Sequence, residues 1–385
     1  MDKGHYTGVV LLDLQKAFDT VDHSILVTKL RAIGADNLAL KWFSSYLGER
    51  KQFVDVHGTF SSKEAVSCGV PQGSILGPLL FTLYVNDMSN AVNCDLCLYA
   101  DDSMLLVSGK DVKKVEQTLE KEMNEISKWL QANKLSLHLG KTESILFGSV
   151  CKLKKVSKME ISCNNINIEA KSSVKYLGVV LDQNMRGETM GGNIVKKVNS
   201  VLKFLYRKSS FLNFRNRKLL CSALLQSRFD YGYNFYYRGL YEDIKLKFQT
   251  AQNKMIRYIL GYDSREHLYF KDFFRAGFLS VEKRYDYLSV NMMYNIFYER
   301  APSYLCNFKK VENLHSHNTR SSKMSYVPAD IKTQGKETFM YNGAKLWNSL
   351  PISIKSIQCK DSFKKSCKKY FFGLMEKSEN SQVVH

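Results

Sequence analysis

A chain of 385 residues, 44% hydrophobic and 12% aromatic, is long enough for two or three domains and too apolar to be disordered. Its nine cysteines show no paired framework, Cys94-x-x-Cys97 lacks the second pair that closes a zinc site, and Cys306, His315 and His317 do not approach zinc-finger spacing. Charge is unevenly divided: residues 1–150 hold 15 Lys and Arg against 18 Asp and Glu, a net of −3, which leaves 41 against 19, a net of +22, for residues 151–385. A basic half joined to a near-neutral half suggests a polyanion gripped by one part and worked on by the other. Met1 to Val10 has no signal-peptide character, and the longest apolar run, Leu76 to Val85, is too short to span a bilayer. The expectation is a reduced intracellular protein, nuclear or cytoplasmic, whose thiols are mostly packed as small apolar groups.

In chain order, Tyr6 to Leu14 reads as a strand, a short apolar run interrupted by the acid Asp13. Asp22 opens a helical pattern with Ile25, Leu26, Leu30 and Ile33 on one side, stopped by Gly34. Gln52 to Phe60 alternates in part and is followed by Ser61-Ser62, which predicts a hairpin. Cys68 to Gly77 is a loop punctuated by glycine and proline, and Leu79 to Val85 follows as a helix. Leu96 to Tyr99 and Met104 to Val107 are short apolar strands around Ala100-Asp101-Asp102-Ser103, a hairpin with two carboxylates at its tip. Val112, Val115, Leu119, Met123, Ile126 and Leu130 then recur at helical spacing, with Lys113, Glu116, Lys121 and Glu125 opposite them. Strand, helix, hairpin, helix, strand is the order of a split βαβ unit, hence an α+β class with an antiparallel sheet and helices on one face. From Gly191 the chain turns helical and basic: Ile194, Val195, Val198, Val201, Leu202 and Leu205 make an apolar stripe, with Lys196, Lys197, Lys203 and Arg207 off it.

The carboxylates carry the chemistry. If the strand ending near Asp13 neighbours the hairpin at Asp101 and Asp102, three acids converge at one sheet edge. Two unit charges about 4 Å apart repel by about 4 kcal/mol at an effective dielectric near 20, so such a cluster needs counter-cations. Hard oxygen ligands at an open site favour magnesium held jointly with substrate phosphates. A lone Asp-Asp would ordinarily be a turn; apolar strands on both sides and further matching segments argue otherwise.

Those segments bear a family resemblance. Val10-Leu-Leu-Asp13-Leu-Gln-Lys-Ala-Phe18-Asp19, Cys68-Gly-Val-Pro-Gln72-Gly73-Ser74-Ile-Leu-Gly77-Pro, Tyr99-Ala-Asp101-Asp102, Leu135-Ser-Leu-His-Leu-Gly-Lys141-Thr and Lys175-Tyr-Leu-Gly178 resemble, in order, five motifs of LINE-type, jockey-like retrotransposon reverse transcriptases. Ala344-Lys-Leu-Trp347-Asn-Ser-Leu-Pro351 is similar to a segment of their C-terminal region. The resemblance implies a right-hand polymerase palm over residues 1–185, a helical, thumb-like region over 186–265 and a basic C-terminal region over 266–385. It implies an RNA-directed DNA polymerase using an RNA template, a DNA primer, deoxynucleoside triphosphates and two Mg2+ ions, with Mn2+ as a substitute. Asp13 and Asp101 would be metal ligands and Asp102 the more peripheral acid of the three. Phe18 would be an aromatic gate against the sugar 2′-hydroxyl, with a core phenylalanine as the competing reading. Gln72 and Gly73 would approach the templating base pair. Lys141 would protonate or neutralise the leaving pyrophosphate, unless it is only a solvated surface lysine. Tyr176, Leu177 and Gly178 would form the primer grip.

In the basic half, Arg207, Lys208, Arg215, Arg217 and Lys218 interleave with Phe204, Tyr206, Phe211 and Phe214. Together with Lys196, Lys197 and Lys203 they suit a thumb tracking a template–primer duplex through its backbone, the competing reading being a solvated basic face over core aromatics. Asp19, Asp22 and Asp87 are expected to cap helices or occupy their first turns rather than bind metal. Only twelve residues precede Asp13, and Lys3 cannot replace the basic fingers of such polymerases, so a truncated copy is expected. A nucleic-acid-binding remnant without catalysis is the alternative function. A nucleotide cyclase would need a Gly-Gly-acid turn at the hairpin, which is absent.

Overall fold

Consecutive apolar residues in a strand indicate that both faces of its sheet are covered. In β1 (Tyr6–Leu12) the neighbours Val9 and Val10, which point to opposite faces, are both almost wholly buried. The strand also has a hydrogen-bonded partner on either side. The computed structural model describes residues 3–156, 158–208, 211–305, 327, 331 and 333–383; Cys306, His315 and His317 lie outside them. The described chain divides into two units, one ending at Gly178 and the other beginning at Val179.

The first unit continues with α1 (His23–Ala32), α2 (Asn37–Leu47) and four two-residue strands, β2 (Lys51–Gln52), β3 (Asp55–Val56), β4 (Thr59–Phe60) and β5 (Glu64–Ala65). Next come α3 (Leu76–Val85), β6 (Asp95–Tyr99), β7 (Asp102–Gly109), α4 (Val112–Ala132), β8 (Glu143–Phe147) and the short α5 (Val150–Leu153). Strands β9 (Ile161–Cys163), β10 (Ile166–Ala170) and β11 (Ser173–Tyr176) complete it. The main sheet has the order β6-β7-β1-β8-β10-β9, antiparallel except where β10 runs parallel to β8. This is a mixed α/β unit around an antiparallel-rich sheet.

Helix α4 shows how pattern becomes packing. All six residues of its expected stripe are buried, and Asp111 caps its first turn by accepting the Lys113 N–H. The helix lies so close to β1 that a Cβ on Gly8 would stand 2.6 Å from Val115 Cγ1 and 2.7 Å from Leu119 Cδ1. Tyr84 of α3 is fully buried and donates its hydroxyl to the Asn133 carbonyl at 2.6 Å, tying α3 to the end of α4.

Several expectations need correction. Ile33, placed on the apolar side of α1, falls at the C-cap and is 61% exposed, because the helix has already ended. Helix α2 had no expectation at all; its large apolar residues Leu38 and Trp42 face outward and blur the period. The hairpin expected over Gln52 to Phe60 is longer: β3 and β4 form its tip, and β2 pairs with β5 below them. Asp102 and Ser103 belong to strand β7 rather than to a four-residue turn. All eight described cysteines are free, but Cys68, Cys97, Cys151 and Cys359 are exposed instead of packed.

The second unit opens with β12 (Val179–Asp182) and α6 (Glu188–Arg207), whose Met190, Ile194, Val198, Leu202 and Leu205 are buried, and continues through α7 (Phe214–Cys221). These helices pack on Glu242–Leu260 in one core cluster, reaching from Met190 to Tyr285. A further cluster runs from Leu279 to Phe372 around the buried Trp347, whose ring stacks on Phe297 at 5.0 Å. The Ala344–Pro351 segment is therefore a core helix, Phe339–Ser349, and the turn that ends it.

Replacing Gly8 tests the close approach of α4 to β1. Gly8→Val forces its side chain into Val115 and Leu119 and should lower the unfolding free energy by about 1–3 kcal/mol. Urea unfolding followed by circular dichroism would show this as a lower midpoint at unchanged slope; an unchanged midpoint would contradict the packing described.

Candidate active site

Sheet register brings the acids together. Leu12 of β1 pairs with Ser103 of β7, so one residue further along Asp13 comes opposite Asp102. Tyr99 pairs with Asp102 across β6 and β7, which leaves a two-residue turn of Ala100 and Asp101. Ala100 adopts a φ of +53°, a left-handed conformation that costs a residue with a Cβ and is found disproportionately at functional turns. Asp13 is fixed from its other side. Its carbonyl accepts the His138 N–H at 2.7 Å, Gln15 donates to the Ser136 carbonyl at 2.8 Å, and Leu14 bridges to Leu137. The stretch Leu135 to Thr142 thus pins the end of β1.

The electrostatics agree with the geometry. The Asp102 carboxyl is pushed up from its ordinary value, first by partial burial and then by the charges of Asp101 and Asp13. The Tyr176 phenol is also pushed up, mainly by burial and then by Cys97 and Asp102. That places the end of β11 in the field of the same acids. Among the described residues no three His, Cys, Asp or Glu side chains are already drawn to chelating distance of one point. The donor set nonetheless fits a hard divalent cation: carboxylate oxygens on one sheet end, with a mutual repulsion that a cation would relieve.

The other expected site residues are placed as follows. Phe18 is half-buried, its ring 4.5 Å from that of Phe81. Gln72 is exposed and donates its amide to Asp19 Oδ1 at 2.7 Å, while Gly73 is at a φ of +77° with open space where a Cβ would stand. The Lys141 side chain is exposed. Leu177 and Gly178, both at positive φ, form the turn after β11. In the second unit Lys196, Lys197, Lys203, Arg207, Lys208 and Arg215 are exposed, as are Phe204 and Phe211. Arg217 is committed inside its unit: it donates to the Leu212 carbonyl at 2.9 Å and the Tyr258 carbonyl at 3.3 Å and lies 5.5 Å over the Tyr258 ring.

Asp22 caps α1, accepting the Ile25 N–H at 3.0 Å, and pairs with Lys134 at 2.6 Å; Lys134, Ser24 and that N–H hold its carboxyl well below the usual range. Asp87 lies in the first turn of a short 3-10 helix and pairs with Lys29 at 2.6 Å. Asp19 caps no helix and instead receives Gln72. Sequence reasoning missed His138, whose Nδ1 is buried without a hydrogen-bond partner beside the site, and the cations Lys16, Arg50 and Lys51, which line a cleft with Asp19 and Gln72.

Because the folded state raises the Asp102 pKa, it favours the protonated side chain. The cost is therefore absent below the ordinary carboxylate range and fully present once pH has risen through the raised value. Asp102→Asn should raise the thermal midpoint at pH 7 relative to wild type, and the gain should vanish near pH 3. A variant less stable than wild type at pH 7 would contradict the crowding of the three acids.

Residues 1–181 match the family described as "Reverse transcriptase (RNA-dependent DNA polymerase)". The chain is 27% identical over 275 residues to the probable RNA-directed DNA polymerase from transposon X-element of Drosophila melanogaster, covering 68% of this chain and 29% of that protein. It is 26% identical over 273 residues to the RNA-directed DNA polymerase from mobile element jockey of Drosophila funebris, with the same shares of 68% and 29%. A telomerase from Candida albicans, solved in complex with an RNA fragment, overlays with a TM-score of 0.33 at 12% identity, over 68% of this chain and 46% of that one. The chain thus spans 29% of the length of the first two relatives. The acid-tipped hairpin and the end of β1 both lie within residues 1–181, which match the reverse transcriptase family, and the chain is similar to the RNA-directed DNA polymerases of transposon X-element and mobile element jockey.

Proposed function

We propose that the chain is an RNA-directed DNA polymerase that extends a DNA primer on an RNA template from deoxynucleoside triphosphates. The observation that carries this reading is the register that sets Asp13 opposite Asp102 with Asp101 in the adjoining turn. In this reading residues 1–185 are the palm of a right-hand polymerase, 186–265 a thumb-like region and 266–385 a basic C-terminal region, the latter two supported by the separate core clusters of the second unit.

Asp13 and Asp101 would hold two Mg2+ ions, or Mn2+ in their place, and Asp102 would act from the periphery. When bound, such a metal pair supplies activation of the primer hydroxyl and stabilisation of the departing pyrophosphate. The chain's own residues do the positioning. Phe18, backed by Phe81, would set a flat wall against a sugar 2′-hydroxyl. Gln72, steadied by Asp19, and Gly73, with no side chain to keep a ligand away, would meet the templating base pair. Lys141, exposed at the turn after His138, would offset or protonate the pyrophosphate. Tyr176, Leu177 and Gly178 would seat the primer end. Lys196, Lys197, Lys203, Arg207, Lys208 and Arg215 would meet duplex phosphates. Arg217, already engaged, would act only by holding α7 to Glu242–Leu260. Such a protein would work in the nucleus or cytoplasm; no described helix is long and apolar enough to cross a membrane.

Primer extension on an RNA template with Mg2+ or Mn2+ tests the proposal. Asp13→Asn and Asp101→Asn should each cut incorporation by roughly a hundredfold or more, the scale of losing a principal electrostatic contribution at a reacting centre. Incorporation by either variant at the wild-type rate would contradict it.

A further inference from the structure

The six-stranded sheet ends at β9, which pairs with β10 on one side only. Asn164 and Asn165, at φ values of +50° and +62°, make the two-residue turn between these strands. In an antiparallel pair, alternate residues turn their N–H and C=O groups away from the partner strand. A row of such free groups is a template on which another strand can pair. On β9 the outward donors do not stay free. The N–H of Glu160, just ahead of the strand, donates to Glu116 Oε1 at 3.0 Å, and the N–H of Ser162 donates to Glu120 Oε1 at 2.8 Å. Both carboxylates come from α4. The Ser162 hydroxyl adds a bond to the same Glu120 oxygen at 2.9 Å.

The match is one of spacing. Two residues along a strand rise about 6.7 Å and four along a helix about 6 Å, so carboxylates one helical turn apart meet N–H groups two residues apart. Glu116 and Glu120 follow directly on Val115 and Leu119 of the buried stripe of α4, which sets them at the border of its polar side. Close packing does not force the contact. A cavity of about 590 Å³ remains between α4 and the β9–β10 hairpin, lined by Glu116, Gln117, Glu120, Lys158, Ser162 and Asn167 among others. Water entering it could satisfy both donors, so the hydrogen-bonding needs of β9 do not by themselves call for acids here. The pattern recurs across the sheet: the buried Glu122 of α4 accepts the Asn93 N–H at 2.8 Å, just ahead of β6, the opposite edge strand.

We propose that Glu116 and Glu120 stand in for a neighbouring strand and so keep the β9 edge from pairing with a second copy of this chain. An identical edge is the partner to guard against, because two copies of one strand pair antiparallel about a two-fold axis. The carboxylate oxygens take the place of strand carbonyls, and as charged acceptors they hold the N–H groups more tightly than a neutral carbonyl would. They also bring like charges face to face when two such edges approach, which opposes the pairing a second time. Nothing in this arrangement depends on the polymerase reading, and neither acid has a role assigned above.

Amide hydrogen exchange read by mass spectrometry on the full chain, together with light scattering over a concentration series, tests the guard. Glu116→Ala, Glu120→Ala and the double variant are compared with Glu120→Gln, whose amide oxygen can still accept the Ser162 N–H. Thermal melting shows which of them fold, and the single variants serve if the double does not. Exchange across residues 158–163 should quicken roughly tenfold in the alanine variants, the scale of losing one charge-assisted bond, and much less in Glu120→Gln. The alanine variants should also self-associate more strongly than wild type. Ser162→Pro added to Glu120→Ala should then reverse that association, because proline removes the outward donor and leaves the β9–β10 ladder intact. Faster exchange without added association would reduce the two acids to ordinary hydrogen-bond acceptors and overturn the proposal. Unchanged exchange would overturn it too, as would association that survives Ser162→Pro and therefore runs through another surface.

Discussion

The pairing of β1 with β7 is the constraint on which the rest depends. Because side chains alternate along a strand, a slip of one residue would turn Val10 and Leu12 away from the core and carry Asp13 away from Asp102. Burying each such aliphatic side chain stabilises the fold by about 1.5–3 kcal/mol. The repulsion among partly solvated carboxylates at the strand end is of the order of a few kcal/mol at most. Core burial along β1 therefore outweighs the crowding at its tip, and the sheet can hold like charges together without any specific contact between them. The close seat of α4 on Gly8 and the zipper from Asp13 to His138 leave the strand little freedom to relieve that crowding.

The two units divide the electrostatics. The first places its three clustered acids at one sheet end and pairs Lys29, Lys128, Lys134 and Lys171 with carboxylates elsewhere. The second spends some cations internally, as in Arg284 with Asp230 at 2.6 Å and Arg217 over Tyr258, and leaves a row of others exposed along α6 and α7. An exposed, unpaired cation is inexpensive in water and gains most when it meets a phosphate and releases counterions. The excess charge after residue 150 therefore says more about a partner than about the fold.

How much of this was legible in the sequence follows from the range of each interaction. Helix α4 could be read residue by residue, since one face does all the burying and its period is unbroken. Strand β1 and the acid hairpin were legible as apolar runs around carboxylates, and the five motifs placed them in a family. Helix α2 was hidden because Trp42 and Leu38 point outward, and Ile33 was misplaced because a terminal apolar residue has no helix left to bury it. The pair of Lys134 with Asp22 joins residues 112 apart, and the N–H of His138 reaches back to Asp13; no local pattern announces either. The same holds for Arg50 and Lys51, an ordinary basic pair until the hairpin stem sets them beside Lys16. Arg217 looked like its exposed neighbours, and only the position of Tyr258 separates it from them.

The central claim is that the end of β1 and the β6–β7 turn form one divalent-cation site. Mn2+ binding followed by electron paramagnetic resonance reads this without requiring turnover. Wild type should take up Mn2+ at a site that Mg2+ competes for, and Asp13→Asn and Asp101→Asn should each weaken that uptake, although one residue follows β1 and the other lies in the β6–β7 turn, far apart in sequence. Uptake that is unchanged in either variant would contradict the account.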